Sequence, residues 1–191
     1  MPSPERLPQL VPPPATVAQD RPWDRTEGRL GRQLPQDYKE LIGTYGGGDF
    51  DGYIGLLVPP PVRNGSEIAE YNDDRMDELA GLWAITDNRP AELGDDDLVL
   101  VAWADTIDSD TLNWLVRPGQ PAEKWPIAVL DADLGQCEIY DMACTDFLAG
   151  LFSGEIDSPV LSHQPSPEPH TFRPYPNPPG RDVQRPRRSA G

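Results

Sequence analysis

Proline is unevenly distributed along this chain, and its distribution limits where regular structure can form. Of the 24 prolines, seven lie in residues 1–26, nine in residues 158–191 and only eight in the long middle segment, residues 27–157. Proline lacks a backbone N–H and fixes φ, so a dense run of prolines excludes long helices and central strands. The two terminal segments also lack apolar periodicity. They are predicted to be disordered or extended arms, and the middle segment is predicted to be one folded domain.

Charge is also unevenly distributed. The middle segment carries 27 acidic and 8 basic side chains, a formal charge of −19, whereas the C-terminal segment carries two acidic and five basic ones. So acidic a surface repels nucleic acid and anionic membranes and attracts basic proteins. The sequence has no apolar run of about 18 residues that could span a bilayer, and no signal-peptide pattern. We expect a cytoplasmic protein that binds a protein partner, without direct contact with nucleic acid or membrane.

Apolar periodicity predicts the order of elements in the middle segment. Helical spacing occurs in Leu34–Tyr45, in the long segment that begins at Ser66, and in Thr145–Ile156. Residues 51–61 are predicted to be a strand that ends at three prolines. From Leu98 onward, hairpin-like spacings separate four further strands: LVLVAWA, TLNWLV, WPIAVL and CEIYD. This order predicts an α+β fold, with helices packed on a mainly antiparallel sheet of about four to six strands.

Three consecutive glycines, Gly46 to Gly48, directly follow the first of these helices and raise the question of a phosphate-binding loop. Such loops lie between a strand and the helix that follows it, and they carry a lysine or the GxGxxG pattern. Here the helix comes first, and Asp49 and Asp51 stand where a cation would be needed. The glycines are therefore interpreted as a helix stop, with a left-handed glycine followed by a sharp turn.

Residue types that support catalysis or metal binding do not form a recognisable motif. The two histidines, His163 and His170, lie in the C-terminal arm, so a histidine-assisted nucleophile or zinc site is not expected. The acidic segment from Asp131 lacks the glycine and glutamate positions of a calcium loop. Cys137 and Cys144 lack CxxC spacing and are expected to be reduced, buried thiols. We predict no enzymatic activity, no cofactor and no metal site, and catalysis by carboxylates alone is a third, weaker hypothesis.

The segment LGRQLPQDYKELIGTYGGGDF and the elements after it resemble the SUKH superfamily, which includes fungal cell-wall synthesis regulators and bacterial toxin-immunity proteins. The likeness covers about Leu30 to Ile156. The positions that carry it are Leu34, Pro35, Asp37, Tyr38, Gly46, Gly48, Pro59 and Trp114. The resemblance implies packing and turn roles for these positions, an α+β fold and non-enzymatic binding. It also implies, in bacteria, a common role as the protein that neutralises a secreted toxin, often a nuclease.

Two functions fit both the resemblance and the charge. In the first, an immunity-type protein covers the basic surface of a toxin domain with its own acidic surface. In the second, the chain is a scaffold or regulatory module like the fungal members, and its proline-rich arms engage other proteins. The candidate partner-binding residues are Asp95, Asp96, Asp97, Asp105, Asp108 and Asp110. The last three lie in one predicted turn between central strands. We expect them to be exposed there and to dominate binding.

Overall fold

A computed structural model describes residues 6–17, 21–62, 66–94, 97–165 and 169–176. In these residues the chain forms six α-helices and one seven-stranded antiparallel sheet, so the predicted α+β class is confirmed and the sheet is one strand larger than expected. The α-helices are α1 (Arg6–Leu10), α2 (Trp23–Leu30), α3 (Gln36–Tyr45), α4 (Ile68–Asn72), α5 (Arg75–Thr86) and α6 (Cys144–Phe152). The strands are β1 (Gly48–Phe50), β2 (Ile54–Leu56), β3 (Val99–Thr106), β4 (Thr111–Val116), β5 (Ile127–Leu130), β6 (Cys137–Tyr140) and β7 (Phe172–Pro174). Two short 3-10 helices span Ala91–Leu93 and Ala122–Lys124.

The sheet follows chain order except at one edge. Its strand order is β6-β5-β4-β3-β2-β1-β7, so strands β3 to β6 form the antiparallel meander that the sequence predicts. The predicted single strand in residues 51–61 is instead the second half of a β1–β2 hairpin. The edge strand β7 comes from the C-terminal segment and pairs with β1, with Phe172 opposite Phe50.

Apolar side chains cover both faces of the sheet. Ile127 and Val129 of β5 belong to the larger apolar cluster, to which α1, α3 and α6 contribute. The alternate residues, Ala128 and Leu130, belong to a smaller cluster with Trp83 of α5. Because successive residues of a strand point to opposite faces, α5 lies on the face opposite α3 and α6. Among the described helices, none is long and apolar enough to cross a membrane.

The long helix predicted from Ser66 is two helices in the structure. Helix α4 ends at Asn72 and α5 begins at Arg75, and between them Asp74 adopts a left-handed conformation with φ of 57°. Aspartate is one of the few residue types that reach this region at small cost. The helical segment also begins later than Ser66, because the N-cap of α4 is Glu67. The periodicity missed the break because aspartates are equally compatible with the exposed side of a continuous helix.

The folded body extends beyond the limits predicted from proline content. Helix α1 packs on α6 and buries Leu7 and Val11, although both residues lie in the predicted N-terminal arm. Val160 and Leu161 are buried as well, and β7 belongs to the sheet. The predicted boundaries at residues 27 and 157 therefore differ from the structure. Short apolar segments between prolines find partners here because the rest of the fold offers an open helix face and an open sheet edge.

Several positions that carry the SUKH resemblance have packing or turn roles. Leu34 is buried, and Pro35 is the N-cap of α3, one position before its first helical residue. Pro59 is buried, and its carbonyl accepts a hydrogen bond from an arginine. The rings of Tyr38 and Trp114 meet edge to face at 5.0 Å, and the Tyr38 hydroxyl donates to a backbone carbonyl. Edge-to-face packing of this kind stabilises a core beyond the area that it buries.

Asp37 caps a helix other than its own. Its Oδ2 accepts a hydrogen bond from the N–H of Cys144 at 2.8 Å and lies 3.0 Å from the Cys144 Sγ, at the start of α6. The first N–H groups of a helix lack intrahelical partners, so Asp37 of α3 satisfies one of them. The helical spacing begins at Thr145 in the sequence, whereas the N-cap position of α6 is Ala143. Both cysteines are free thiols, with Cys144 buried and Cys137 half-buried, and burial raises the pKa of each.

The three glycines end α3 and then make room for the C-terminal strand. Gly46 is the C-cap with φ of 74°, as the helix-stop interpretation predicts. The Gly47 carbonyl accepts a hydrogen bond from the N–H of Tyr175 at 2.8 Å. A Cβ on Gly48 would lie only 2.4 Å from the carbonyl oxygen of Arg173. Gly48 is therefore required by the close approach of β7 to β1.

Candidate functional site

A β-bulge in β3 determines which way Asp105 faces. The pairing of β3 with β4 skips one residue, Trp103, between Ala102 and Ala104. An extra residue reverses the alternation of side chains beyond it. Without the bulge, the side chain of Asp105 would lie on the same face of the sheet as the larger apolar cluster, to which Trp103 contributes. With it, Asp105 pairs with Thr111 on the opposite face, which α5 partly covers.

Asn72, the last residue of α4, holds the bulge in place. Its Oδ1 accepts a hydrogen bond from the N–H of Ala102 at 2.8 Å, and its Nδ2 donates to the carbonyl of Ala102 at 2.9 Å. A bulge leaves backbone groups without a ladder partner, and buried groups of this kind need one. The end of α4 thus stabilises the irregularity that directs Asp105.

Asp105 lines a hollow of about 200 Å³ on this face of the sheet, which we call the Asp105 hollow. Gly55 forms part of its floor and pairs with Asp105 on one side and with Asp49 on the other. A Cβ on Gly55 would lie 2.8 Å from the Tyr175 hydroxyl and 3.1 Å from Asp105 Oδ1, so the close approach of these two side chains requires glycine at this position. Ile107 also lines the hollow and is 75% exposed.

The carboxylate of Asp105 is partly buried, and no cation among the described residues contacts it. Burial raises the pKa of Asp105 from 3.8 to about 6, and the charge of Arg75 opposes this rise. Arg75 donates from Nη2 to Thr111 Oγ1 at 3.1 Å and to Asn113 Oδ1 at 3.3 Å. Among the described residues, only Asp105 itself donates a backbone hydrogen bond to this carboxylate. Burial also raises the pKa of Tyr175 to about 12, so its hydroxyl keeps its proton and can donate.

Asp49 is the second acid of the hollow. It is 9% exposed, and its Oδ2 accepts a hydrogen bond from Nε of Arg173 at 3.1 Å and lies 3.0 Å from Nη2 of Arg173 as an ion pair. Its Oδ1 is buried and has no hydrogen-bond partner in the part of the chain that the structure describes. The Arg173 side chain is 76% exposed. The lining of the hollow therefore has two carboxylates and one arginine, with one carboxylate oxygen unpartnered.

The structure separates the three acids of the β3–β4 turn that the sequence grouped together. Asp105 lines the hollow, whereas Asp108 Oδ2 lies 2.6 Å from Nδ1 of His163 in the C-terminal segment. Asp110 is fully buried and accepts hydrogen bonds from the N–H and the hydroxyl of Ser162, both at 2.9 Å. The expectation that Asp110 is exposed was wrong. A carboxylate offers several acceptor sites, and this one connects the turn to the C-terminal segment.

The other three candidate acids do not form a site in the described residues. Asp97 is exposed just before β3, and Asp95 and Asp96 lie outside the described ranges. Among the described side chains, no three or more histidine, cysteine, aspartate or glutamate residues form a group that could hold a metal ion.

His170 holds the returning C-terminal segment against the fold. The residue is buried, with Nδ1 2.8 Å from Asp51 Oδ2 and Nε2 2.8 Å from the carbonyl oxygen of Phe152. Both neighbours are hydrogen-bond acceptors, and each lies within hydrogen-bond distance of one ring nitrogen. Asp51 also accepts the N–H of Thr171 at 2.7 Å. The expectation that no histidine belongs to the folded body was therefore wrong for His170.

The sequence analysis missed Arg173 and Tyr175 as site residues. Both belong to a segment of only a few residues between prolines, which is too short for a periodicity to be recognised. The aromatic residues Phe172 and Tyr175 are the one signal in that segment that could have indicated a strand. In the sequence, Asp49 served only as an argument against phosphate binding. Its place in the hollow could not be predicted, because it depends on the pairing of Asp49 with Gly55 in the sheet.

Comparisons with known proteins were made for the whole chain: no family model matches it, and neither does any curated protein or solved structure. The likeness to the SUKH superfamily therefore rests on the motif and the element order quoted above.

Proposed function

We propose that this chain is a non-enzymatic binding protein of the immunity type, which neutralises a basic toxin domain by covering its surface. The observation that carries the proposal is the Asp105 hollow with Ile107 beside it. Protein interfaces concentrate binding energy where an apolar anchor lies next to charged groups that lose water on binding. An exposed isoleucine beside two partly buried carboxylates provides both elements for a partner that carries lysine or arginine.

The charge of the molecule supports a basic partner. Residues 27–157 carry a formal charge of −19. Such a field accelerates the encounter with a positively charged protein and repels nucleic acid, which competes for the same surface of a nuclease. The proposal places this encounter in the cytoplasm.

Hydrogen bonds to the buried Asp110 stabilise the turn that presents Ile107. Besides Ser162, the buried Asp110 accepts hydrogen bonds from the hydroxyls of Tyr53 and Thr106, each at 3.2 Å. A binding element that is already ordered loses less conformational freedom when the complex forms. We therefore expect the turn to bind the partner in its present conformation, without a folding step.

The test is neutralisation of a toxin domain taken from a secreted protein that is encoded beside this gene. Expression of that domain alone is expected to arrest growth, and co-expression with this chain is expected to restore it. The two purified proteins should form a stoichiometric complex by size-exclusion chromatography. Ile107→Ser should weaken the complex at least about fivefold, since interface anchors typically contribute more than about 1 kcal/mol.

Asp141→Asn is the matched control, because Asp141 is exposed next to β6, at the edge of the sheet opposite β7. It should leave affinity and rescue unchanged. Rescue without a complex would contradict the masking mechanism. A chain that binds no toxin but joins two other proteins in one assembly would favour the scaffold alternative.

A further inference from the structure

The C-terminal end of the described chain lies on the body as an extended peptide lies on a sheet edge. Residues 170–175, which we call the β7 segment, pair with β1 only, so no other described strand holds them. The N–H of Asp51 donates to the carbonyl of Thr171 at 2.9 Å, and the N–H of Tyr175 donates to the carbonyl of Gly47 at 2.8 Å. Addition of a strand to a sheet edge is a recurring way to bind an extended peptide.

Side chains of the β7 segment also occupy defined places on the body. The Phe172 ring lies against the rings of Tyr45 and Phe50, with centroid distances of 5.0 and 4.8 Å. The Nε of Arg173 donates to Asp49 Oδ2 at 3.1 Å. The body therefore accommodates an aromatic side chain followed by an arginine, and its own carboxylate complements the charge of that arginine.

The surface under this segment has a floor without side chains. We call it the β1 groove and define it as residues 47–51. A Cβ on Gly48 would lie 2.4 Å from the carbonyl oxygen of Arg173, and a Cβ on Gly47 would lie 3.2 Å from the Tyr175 ring. Another backbone comes so close only where the chain has glycine. The shape of the groove is therefore specific for a bound extended segment.

The β7 segment is weakly secured to its own body. Two of the three β7 residues are exposed, and elements with few buried contacts open at a lower free energy than core strands. Three of the six residues between His163 and His170 are prolines. Proline-rich connections favour extended conformations, and the stiffness of a connection determines how strongly it concentrates a segment at its own groove. We therefore expect the segment to leave the groove more readily than the core unfolds.

We propose that the β1 groove of one molecule binds the β7 segment of a second copy of this chain, so that two molecules exchange these segments. Exchange keeps every contact described above because the second segment is identical, and such an exchange is a low-cost route to a dimer. Arg173 and Tyr175 of each copy then complete the Asp105 hollow of the other. The inference does not depend on the neutralising function.

The experiment mixes two full-length variants that have each lost one half of the interaction. Phe172→Ser removes the aromatic side chain of the segment and keeps the groove. Gly48→Ala blocks the groove and keeps the segment. We expect each variant to be monomeric alone, and the mixture to form a one-to-one complex by size-exclusion chromatography with light scattering. A salt concentration of about 0.15 M screens the repulsion between two acidic chains beyond about 8 Å.

NMR locates the contact in the same mixture. The Phe172→Ser chain is labelled with ¹⁵N, and unlabelled Gly48→Ala is added. The N–H of Asp51 should return to the chemical shift that it has in the wild-type chain, because Thr171 of the second copy accepts its hydrogen bond. Signals far from the groove, such as that of Asp141 next to β6, should not change.

Gly43→Ala is the matched control for the blocked groove. It adds the same methyl group where a Cβ meets nothing within 4 Å, so this chain keeps its segment in its own groove. It should bind the labelled Phe172→Ser chain at least about tenfold more weakly than Gly48→Ala does, because its segment is tethered to a competing site. A chain that carries both Gly48→Ala and Phe172→Ser should not bind.

Two substitutes keep the test decisive if a variant fails to fold. A synthetic peptide of residues 169–176 replaces the Gly48→Ala chain as the donor of the segment. Arg173→Ala replaces Phe172→Ser, because the Arg173 side chain is 76% exposed and its loss leaves the core intact.

A mixture that stays monomeric, with no change at Asp51, would overturn the proposal. Equal binding by Gly48→Ala and Gly43→Ala, or binding by the double variant, would also overturn it, because the contact would then lie outside the groove. Binding of the peptide without any complex between folded chains would refute the second copy as the occupant. The groove would then take an extended segment of another protein.

Discussion

At the scale of single residues, Asp105 affects stability as well as the candidate site. Its pKa of about 6 lies above the 3.8 of an unperturbed aspartate, with burial as the main cause. The folded chain therefore holds this proton more tightly than the unfolded chain does. Below about pH 4, Asp105 therefore does not reduce the free energy of unfolding. As the pH rises from about 4 to about 6, the ionisation of Asp105 lowers the free energy of unfolding, and the full reduction remains above that range.

Asp105→Asn should accordingly stabilise the protein at neutral pH and not in acid. We expect a gain of about 1 to 2 kcal/mol in the free energy of unfolding near pH 7.5, below the full linkage value because water still reaches part of the side chain. The gain should disappear near pH 4. Urea unfolding of both proteins at a series of pH values measures this difference.

Asp141→Asn controls for the general relief of repulsion in an acidic protein. Its effect on the free energy of unfolding should be small compared with that of Asp105→Asn at pH 7.5. If Asp105→Asn gave the same difference at every pH, the proton uptake assigned to Asp105 would be incorrect.

At the scale of elements, β7 and the glycines before β1 depend on each other. Gly48 lies where Phe172 and Arg173 approach β1, and even a methyl group would meet both the backbone and the aromatic ring. The same strand also supplies Arg173 to the Asp105 hollow, and Tyr175 follows directly after it. Pairing of β7 thus couples the sheet edge to the candidate site.

Gly48→Ala should release β7 from β1 and lower the free energy of unfolding by about 1 to 3 kcal/mol, in the range of overpacking in a core. Hydrogen exchange should accelerate at the N–H groups of Asp51 and Tyr175, which bond to Thr171 and Gly47 across this edge.

Gly43→Ala is the matched control for Gly48→Ala. A Cβ there meets nothing within 4 Å, and in α3 it should stabilise by about 0.5 to 1 kcal/mol. Unchanged exchange in Gly48→Ala would contradict the close approach.

Sequence patterns predict the elements whose side chains alternate over several residues. Strands β3 to β6 and helices α3 and α6 have such patterns, and the structure confirms them. The bulge at Trp103 leaves no mark in the pattern, because β3 is apolar on both faces. The site depends on this bulge and on a three-residue strand, so the sequence indicated Asp105 but neither its direction nor its neighbours.

At the scale of the whole molecule, segments from both ends of the described chain complete the core. Leu7 and Val11 pack from the N-terminal side, and Val160 and Leu161 pack from the C-terminal side. Each buried aliphatic side chain contributes about 1.5 to 3 kcal/mol relative to an exposed one. Together they are comparable to the total stability of a typical domain, about 5 to 15 kcal/mol.

A chain trimmed to residues 27–157 should therefore fail to unfold cooperatively. A chain trimmed to residues 6–176 should keep the urea midpoint of the full-length protein. Circular dichroism and urea titration of the two fragments measure this directly. A cooperative transition of the shorter fragment at the full-length midpoint would show that the packed terminal segments contribute little.

The short strand β7 also has a consequence for aggregation. A sheet edge exposes backbone groups that can pair with another chain, and natural edges are protected by shortness and by proline. β7 has only three residues and ends in Pro174, which has no N–H to donate. The segment that covers the edge of β1 therefore leaves a poor template for a further strand, which protects this side of the described sheet from fibril-like growth at high concentration.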